Sequence, residues 1–313
     1  MFTESFLFFS WFLIHTAFII NMYSPDQWEI LAEVNSVTCI TIVSLIFGRK
    51  VASIEGPIHY VRGLLLLMYT LSWAYNLIAC MLTSTNNGNY ISCVMTNFNC
   101  TVLYTVTKVV LYLYFIEKIH IISVPKTTRF KSPLYIINLV LLLPNIAVVL
   151  LQIMYRVNLV ADTYPYHCTV GFDIPASALS LCYDTLLSAL YIGIFIKFYC
   201  FPNTAQQTAH QSSSLHMMAK RNAIAAITTL ITSCANFIIL ISLKGHERGL
   251  VASSICALSV TIVCCVIHWV TTHPAEIQLN EKALQRVNGD KPVKLEIKQH
   301  QEVVILTELN TRI

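Results

Sequence analysis

Two charged residues stand inside long apolar runs, and their types and spacing are the first hint of chemistry. Lys108 lies within the run 90–116, 15 residues after Cys93, and Asp184 lies within the run 176–199, 11 residues after Asp173. If both runs cross a membrane, the two charges sit at comparable depth, where an unpaired charge is costly. Three readings follow: a Lys108–Asp184 ion pair, a ligand or ion contact by either residue, or a polar contact of Lys108 with backbone carbonyls. Glu33, in the run 27–47, is a further candidate partner nearer the membrane surface. No sequence motif stands behind any of these assignments. A second group, Glu117 and Lys118, closes the run that holds Lys108, and Lys220 and Arg221 precede the run 222–243. Glu117 and Lys118 can form a cytoplasmic switch with Lys220 or Arg221 across one end of a bundle; a solvated cluster of helix-end charges is an almost equal reading.

Catalytic and metal-binding signatures are missing. The ten histidines form no H-E-x-x-H pattern, and there is neither a G-x-S-x-G elbow nor a glycine-rich phosphate loop. The sequence therefore points away from an enzyme and implies no cofactor or metal. Of the 11 cysteines, Cys93 and Cys168 are candidates for a bridge, with Cys100 a rival donor to Cys168. The other cysteines lie mostly in apolar segments and read as small buried hydrophobes. Cys200, at the end of its run, is a candidate for acylation, although an idle thiol is the simpler reading. Asn99-Cys100-Thr101 matches the N-glycosylation pattern but lies too deep in its run to be modified.

The elements that must hold these residues are hydrophobic helices. Only 12% of the 313 residues are charged and 56% are apolar, against about 25% charged in soluble domains. Mean hydropathy is +0.63. The apolar residues fall in eight runs, 6–22, 27–47, 60–82, 90–116, 134–155, 176–199, 222–243 and 250–270. A helix of about 20 residues spans the hydrocarbon core, so the last seven are long enough to cross. The chain reads as an all-α polytopic membrane bundle of seven core helices, at residues 27–274. Such a composition excludes a soluble enzyme, a secreted disulfide module and a nucleic-acid binder. The short first run, in the segment 1–26, is readable as a signal sequence, an eighth span or an interfacial helix.

Basic residues set the expected orientation. Alternate connections carry Arg49, Lys50, Arg62, Lys118, Lys126, Arg129, Lys131, Lys197, Lys220 and Arg221, ten in all, against Arg156, Lys244 and Arg248 on the other side. The start of the run 27–47 is expected outside and the chain after Pro274 in the cytoplasm, with the plasma membrane as the expected location. On this orientation Cys93 and Cys168 both face an oxidising exterior, which permits their bridge. The connection 201–218, rich in Gln, Ser, Thr and His, reads as a polar cytoplasmic loop. The tail 275–313, with six basic and six acidic residues, reads as a largely disordered cytoplasmic segment. Pro144-Asn145 interrupts the run 134–155 and predicts a kink. Trp73, Tyr75, Tyr104, Tyr112 and Tyr183 are candidate cavity aromatics, with helix packing the commoner role for each.

Lys118 follows Cys93 by 25 residues, about 37 Å along a helix. Together with seven spans, the orientation, the outer cysteine pair and the triplet Glu117-Lys118-Ile119, this spacing resembles the rhodopsin-like G protein-coupled receptor superfamily. There an acidic-Arg-aromatic triplet closes the third span and takes part in activation. The chain keeps the acidic residue, replaces Arg by Lys118 and places Ile119 at the aromatic position. It has no Asp in the run 60–82, no Pro in 222–243 and no Asn-Pro-x-x-Tyr in the last span. It is most similar to the divergent orphan seven-span proteins of fungi. The resemblance implies a signalling receptor in the lipid bilayer, with an external small-molecule or peptide ligand and a heterotrimeric G protein as cytoplasmic partner. The rival expectation is a transporter or channel, with Lys108, Asp184 and Glu33 lining a solute or ion route.

Overall fold

The computed structural model describes residues 27–53, 60–85, 89–123, 132–160, 168–201, 209–242 and 247–273. The apolar run 6–22 and the tail 275–313 lie outside the described residues. Seven helices within them are long and apolar enough to cross a membrane. They are α1 (Gln27–Ala52), α2 (Tyr60–Ser84), α3 (Tyr90–Ser123), α4 (Pro133–Met154), α5 (Ile174–Cys200), α6 (Ala209–Ser242) and α7 (Gly249–Thr271). Successive helices pack side by side, and α7 closes the ring against α1 and α2.

Helix α3 runs through the middle. It is 34 residues long, and its most apolar stretch is 61% buried, more than that of any other span. Residues Tyr114 to His120 are buried without a break, whereas a helix facing lipid or water on one side shows a buried stripe only. The core around it is aromatic. The Tyr112 ring lies 5.4 Å from that of Tyr191, and Phe115 meets Tyr191 at 6.1 Å and Phe195 at 5.8 Å. Outward faces carry residues such as Leu45, Leu143, Ile146, Leu186 and Ile231, all exposed, as helices in contact with lipid tails require.

Local sequence sets where the helices start and bend. Asn89 caps α3, its side-chain oxygen accepting from the Ile91 N–H at 2.9 Å. Residues Asn99–Leu103 form a π-helical turn within α3, a local widening often found beside functional residues. The kink expected at Pro144 is present: α4 consists of Pro133–Val140 and Pro144–Met154, joined by a tight turn. Across that turn the Leu142 and Leu143 N–H groups bond to Leu139 and Val140, three residues back. The carbonyl of Leu141 is taken by the Tyr183 hydroxyl at 2.6 Å, and Asn145 donates to the same hydroxyl at 3.2 Å.

Two features depart from the sequence reading. The connection expected at 201–218 is helical from Ala209 onward. Leu215, Met218 and Ala219, spaced three and four apart, bury themselves in the core, and His216 stacks on Tyr199 of α5 at 4.2 Å. This apolar stripe carries α6 past the polar residues that suggested a loop. The second feature is a small antiparallel sheet, β1 (Arg156–Val160), β2 (Cys168–Phe172) and β3 (Glu247–Arg248), in the order β1-β2-β3. Arg156 pairs with Phe172, Val160 with Cys168 and Thr169 with Arg248.

Candidate functional site

Cys93, in the first turn of α3, is bonded to Cys168 at the start of β2, with Cα atoms 5.7 Å apart, an ordinary separation for a disulfide. Both cysteines are buried. The bridge fastens β2, and through it β1 and β3, over the end of the bundle. Cys100, the rival donor, is free and points toward α2, where the Tyr75 hydroxyl lies 3.6 Å from its sulfur. Asn99 is 1% exposed and donates to the Tyr75 carbonyl, so the glycosylation pattern is closed to modification.

About two turns beyond Cys100, the Lys108 ammonium meets the Asp184 carboxylate at 2.6 Å. The pair joins α3 to α5. Lys108 Nζ also donates to Ser233 Oγ of α6 at 2.5 Å, and Tyr112, one turn along α3, donates to the second Asp184 oxygen at 2.5 Å. Ser188 Oγ lies 3.2 Å from the same tyrosine hydroxyl, and Lys108 Nζ stands 5.1 Å from the centre of the Tyr104 ring. Both carboxylate oxygens are therefore satisfied, and the ammonium has anionic, hydroxyl and aromatic partners. The side chains of Lys108 and Asp184 are 13% and 11% exposed, so the charges are almost out of contact with solvent. Such a network tolerates burial because every member is bonded. It clamps three helices at one depth.

Two small cavities flank this clamp, and Tyr104 lines both. One, of about 20 Å3, lies on the α2 and α7 side among Ser72, Thr107, Lys108, Thr229 and Ser259. The other, of about 30 Å3, lies beneath the sheet among Cys100, Gln152, Phe172, Asn236 and Cys256. Each has room for about one or two water molecules. In the second, Gln152 donates to Ser180 at 3.0 Å while its side-chain oxygen is buried without a partner. The remaining candidate aromatics pack. Trp73 donates to Ser44 of α1 at 3.1 Å, Tyr75 is fully buried against Tyr104, and Tyr183 serves the α4 kink.

Glu33 stands apart from the clamp. It is on the exposed face of α1 and accepts from Ser84 at 3.3 Å; Asp184, on a neighbour of α3, is the carboxylate that reaches Lys108.

At the opposite end of α3, Glu117 and Lys118 are 2% and 0% exposed. The Tyr135 hydroxyl of α4 donates to Glu117 at 3.0 Å, and Lys118 Nζ lies 5.3 Å from the Tyr114 ring centre. Lys220 is exposed. Arg221 is placed on α7, its Nη1 donating to the Trp269 carbonyl at 3.2 Å and its guanidinium stacked 4.3 Å from the indole. The structure thus buries Glu117 and Lys118 within the bundle end and seats Arg221 beside α7.

Sequence reasoning named Lys108 and Asp184 but missed Ser233 and Ser188, ordinary serines in apolar helices that gain meaning only from what they face. Tyr112 was weighed as a cavity aromatic, and its role as donor to Asp184 was not anticipated. The sheet did leave a signal. Arg156–Val160 and Cys168–Phe172 are short runs with β-branched residues, of the kind that pair as a hairpin.

Among known proteins, no family model and no curated protein matches the chain.

Proposed function

We propose that this integral membrane protein is a signalling receptor of G protein-coupled type, which takes a ligand from the disulfide end and couples at the Lys118 end. The carrying observation is the make-up of α3. One central helix is tied by Cys93–Cys168 to a lid, holds α5 and α6 through Lys108 at mid-depth, and ends in the buried Glu117 and Lys118. A ligand beneath the lid that prefers one arrangement of the clamp would shift the balance of bundle conformations, and the shift would be felt at the far end of the same helix. The cavity under β2 has aromatic walls and the free acceptor of Gln152 but room for only about one or two waters, so a ligand would bind an arrangement of the bundle in which it is wider. The positive-inside distribution of Lys and Arg supports an external disulfide end and a cytoplasmic Lys118 end.

Transport is the alternative reading, and the intramembrane charges favour it. Both readings are tested on the full chain reconstituted in liposomes with a heterotrimeric G protein. The receptor reading expects Glu117→Gln to raise basal guanine-nucleotide exchange by weakening the Tyr135 contact, with no ion flux. Dissipation of a sodium, potassium or proton gradient that stops with Asp184→Asn, without any effect on exchange, would replace it with transport.

A further inference from the structure

The last turn of α7 lies between basic residues of two helices, α6 and α1. Arg221 of α6 is stacked on Trp269 and bonded to its carbonyl through one nitrogen. A guanidinium carries five N–H donors in a planar fork, so this contact fixes the group while engaging only part of it. On the other flank Arg49 of α1 is exposed, while its neighbour Lys50 turns inward to the buried Thr271 at 3.2 Å. His268, one residue before Trp269, has an Nδ1 that is buried without a hydrogen-bond partner. Among the described residues, the carboxylate at this end is Glu117, which is buried and accepts from Tyr135 of α4.

The apolar surface of α7 leads to this cluster. Leu258, Ile262 and Trp269 are exposed at helical spacing and form a stripe between α1 and α6, the two helices that pack beside α7 at its edges. Trp269 is 46% exposed at the end of the stripe, as expected of tryptophan at a membrane interface. Helix α6 continues for 12 residues before Arg221, from Ala209, about 18 Å of helix, so the arginine lies at the bundle edge rather than at the helix tip. An apolar stripe that ends in a fixed guanidinium matches a molecule with an acyl chain and an anionic head.

We propose that the end of α7, between Arg221 on one side and Arg49 on the other, is a binding site for the phosphate of an anionic phospholipid, its acyl chain lying along Leu258, Ile262 and Trp269. Arg221 supplies the bidentate contact that a phosphate accepts. Arg49 supplies charge from the opposite flank, and Trp269 holds Arg221 in place. The proposal is independent of whether the protein signals or transports.

The test uses the full chain purified in a neutral detergent, with dioctanoyl phosphatidylglycerol, dioctanoyl phosphatidylcholine and inorganic phosphate as probes, and binding read by calorimetry. The expected result is saturable binding of the phosphatidylglycerol only, weakened about five-fold by Arg221→Gln and by Arg49→Gln, the loss of one basic group near a charged surface. Lys197→Gln, at the same end but on α5, is expected to leave it unchanged. Trp269→Leu, which keeps the charge, should weaken it by freeing the guanidinium. Thermal unfolding without lipid checks that each variant folds. Equal weakening by Lys197→Gln would reduce the site to a diffuse positive field and overturn it. Equal binding of the phosphatidylcholine, or displacement by inorganic phosphate at the same concentration as the lipid, would overturn it as well.

Discussion

Removing Lys108 and Asp184 separately and then together asks whether the clamp is one cooperative unit. At 2.6 Å, two unit charges in a surrounding of effective dielectric constant ~20 attract by about 6 kcal/mol, and withdrawing each ion from water costs several kcal/mol. The net worth of the pair is therefore small, while the cost of orphaning one partner is large, about 3–5 kcal/mol. Lys108→Met should lie at the lower end of that range, because Asp184 retains the Tyr112 hydroxyl as a donor. Asp184→Leu should lie at the upper end, because it leaves an ammonium with the Ser233 hydroxyl and the Tyr104 ring alone. The double variant loses both charges at once and should be destabilised by only about 1 kcal/mol, the scale of the hydroxyl bonds left behind on Tyr112 and Ser233. Thermal and denaturant unfolding of the purified chain in detergent, followed by a thiol-reactive fluorophore that reports the many buried cysteines, measures all four species. With single effects of about 3 and about 5 kcal/mol and a double effect of about 1 kcal/mol, a coupling energy of about 7 kcal/mol is expected. Additivity of the single effects to within about 0.5 kcal/mol would mean that the two residues do not share an interaction, and would refute the clamp.

Serine at Cys93 or at Cys168 should destabilise the fold equally, by about 4 kcal/mol for a closed loop of 75 residues, while Cys100→Ser leaves the bridge intact; peptide mapping without reduction and thermal unfolding check both. Tyr183→Phe should cost about 1 kcal/mol by stranding the Leu141 carbonyl. In a Pro144→Ala background, where that carbonyl can regain a helical partner, the same change should cost less than half as much, and equal costs in unfolding assays would show that the hydroxyl does not serve the kink. The exposed Cys200, one turn past Lys197, should resist a membrane-impermeant maleimide in intact cells and react after permeabilisation, with Cys200→Ser as the control. Labelling before permeabilisation would reverse the orientation.

Much of the architecture was legible in the chain because a bilayer imposes a simple rule. Each crossing segment must satisfy its own backbone and present apolar side chains over about 20 residues, so seven runs of that kind announce seven helices. Proline lacks an N–H, and the kink at Pro144 followed from that alone. Lys108 and Asp184 stood out for the same reason, since a charge in hydrocarbon is too expensive to be incidental. The helix that begins at Ala209 was hidden by polar composition, because the stripe of Leu215, Met218 and Ala219 is short and acquires its partners only from α5 and the core.

Which groups meet was another matter. Depth along a helix can be counted from the sequence, but the direction in which a side chain points depends on how each helix is rotated against its neighbours. Glu33, Asp184 and the backbone carbonyls were all plausible companions for Lys108 until the packing of α3 against α5 and α6 put Asp184 and Ser233 within reach. The same rotations turned Arg221 to Trp269 and gave Glu117 the Tyr135 hydroxyl. Hydrophobicity along the chain determines that these helices cross; the interlocking of side chains between helices decides which polar groups share a site.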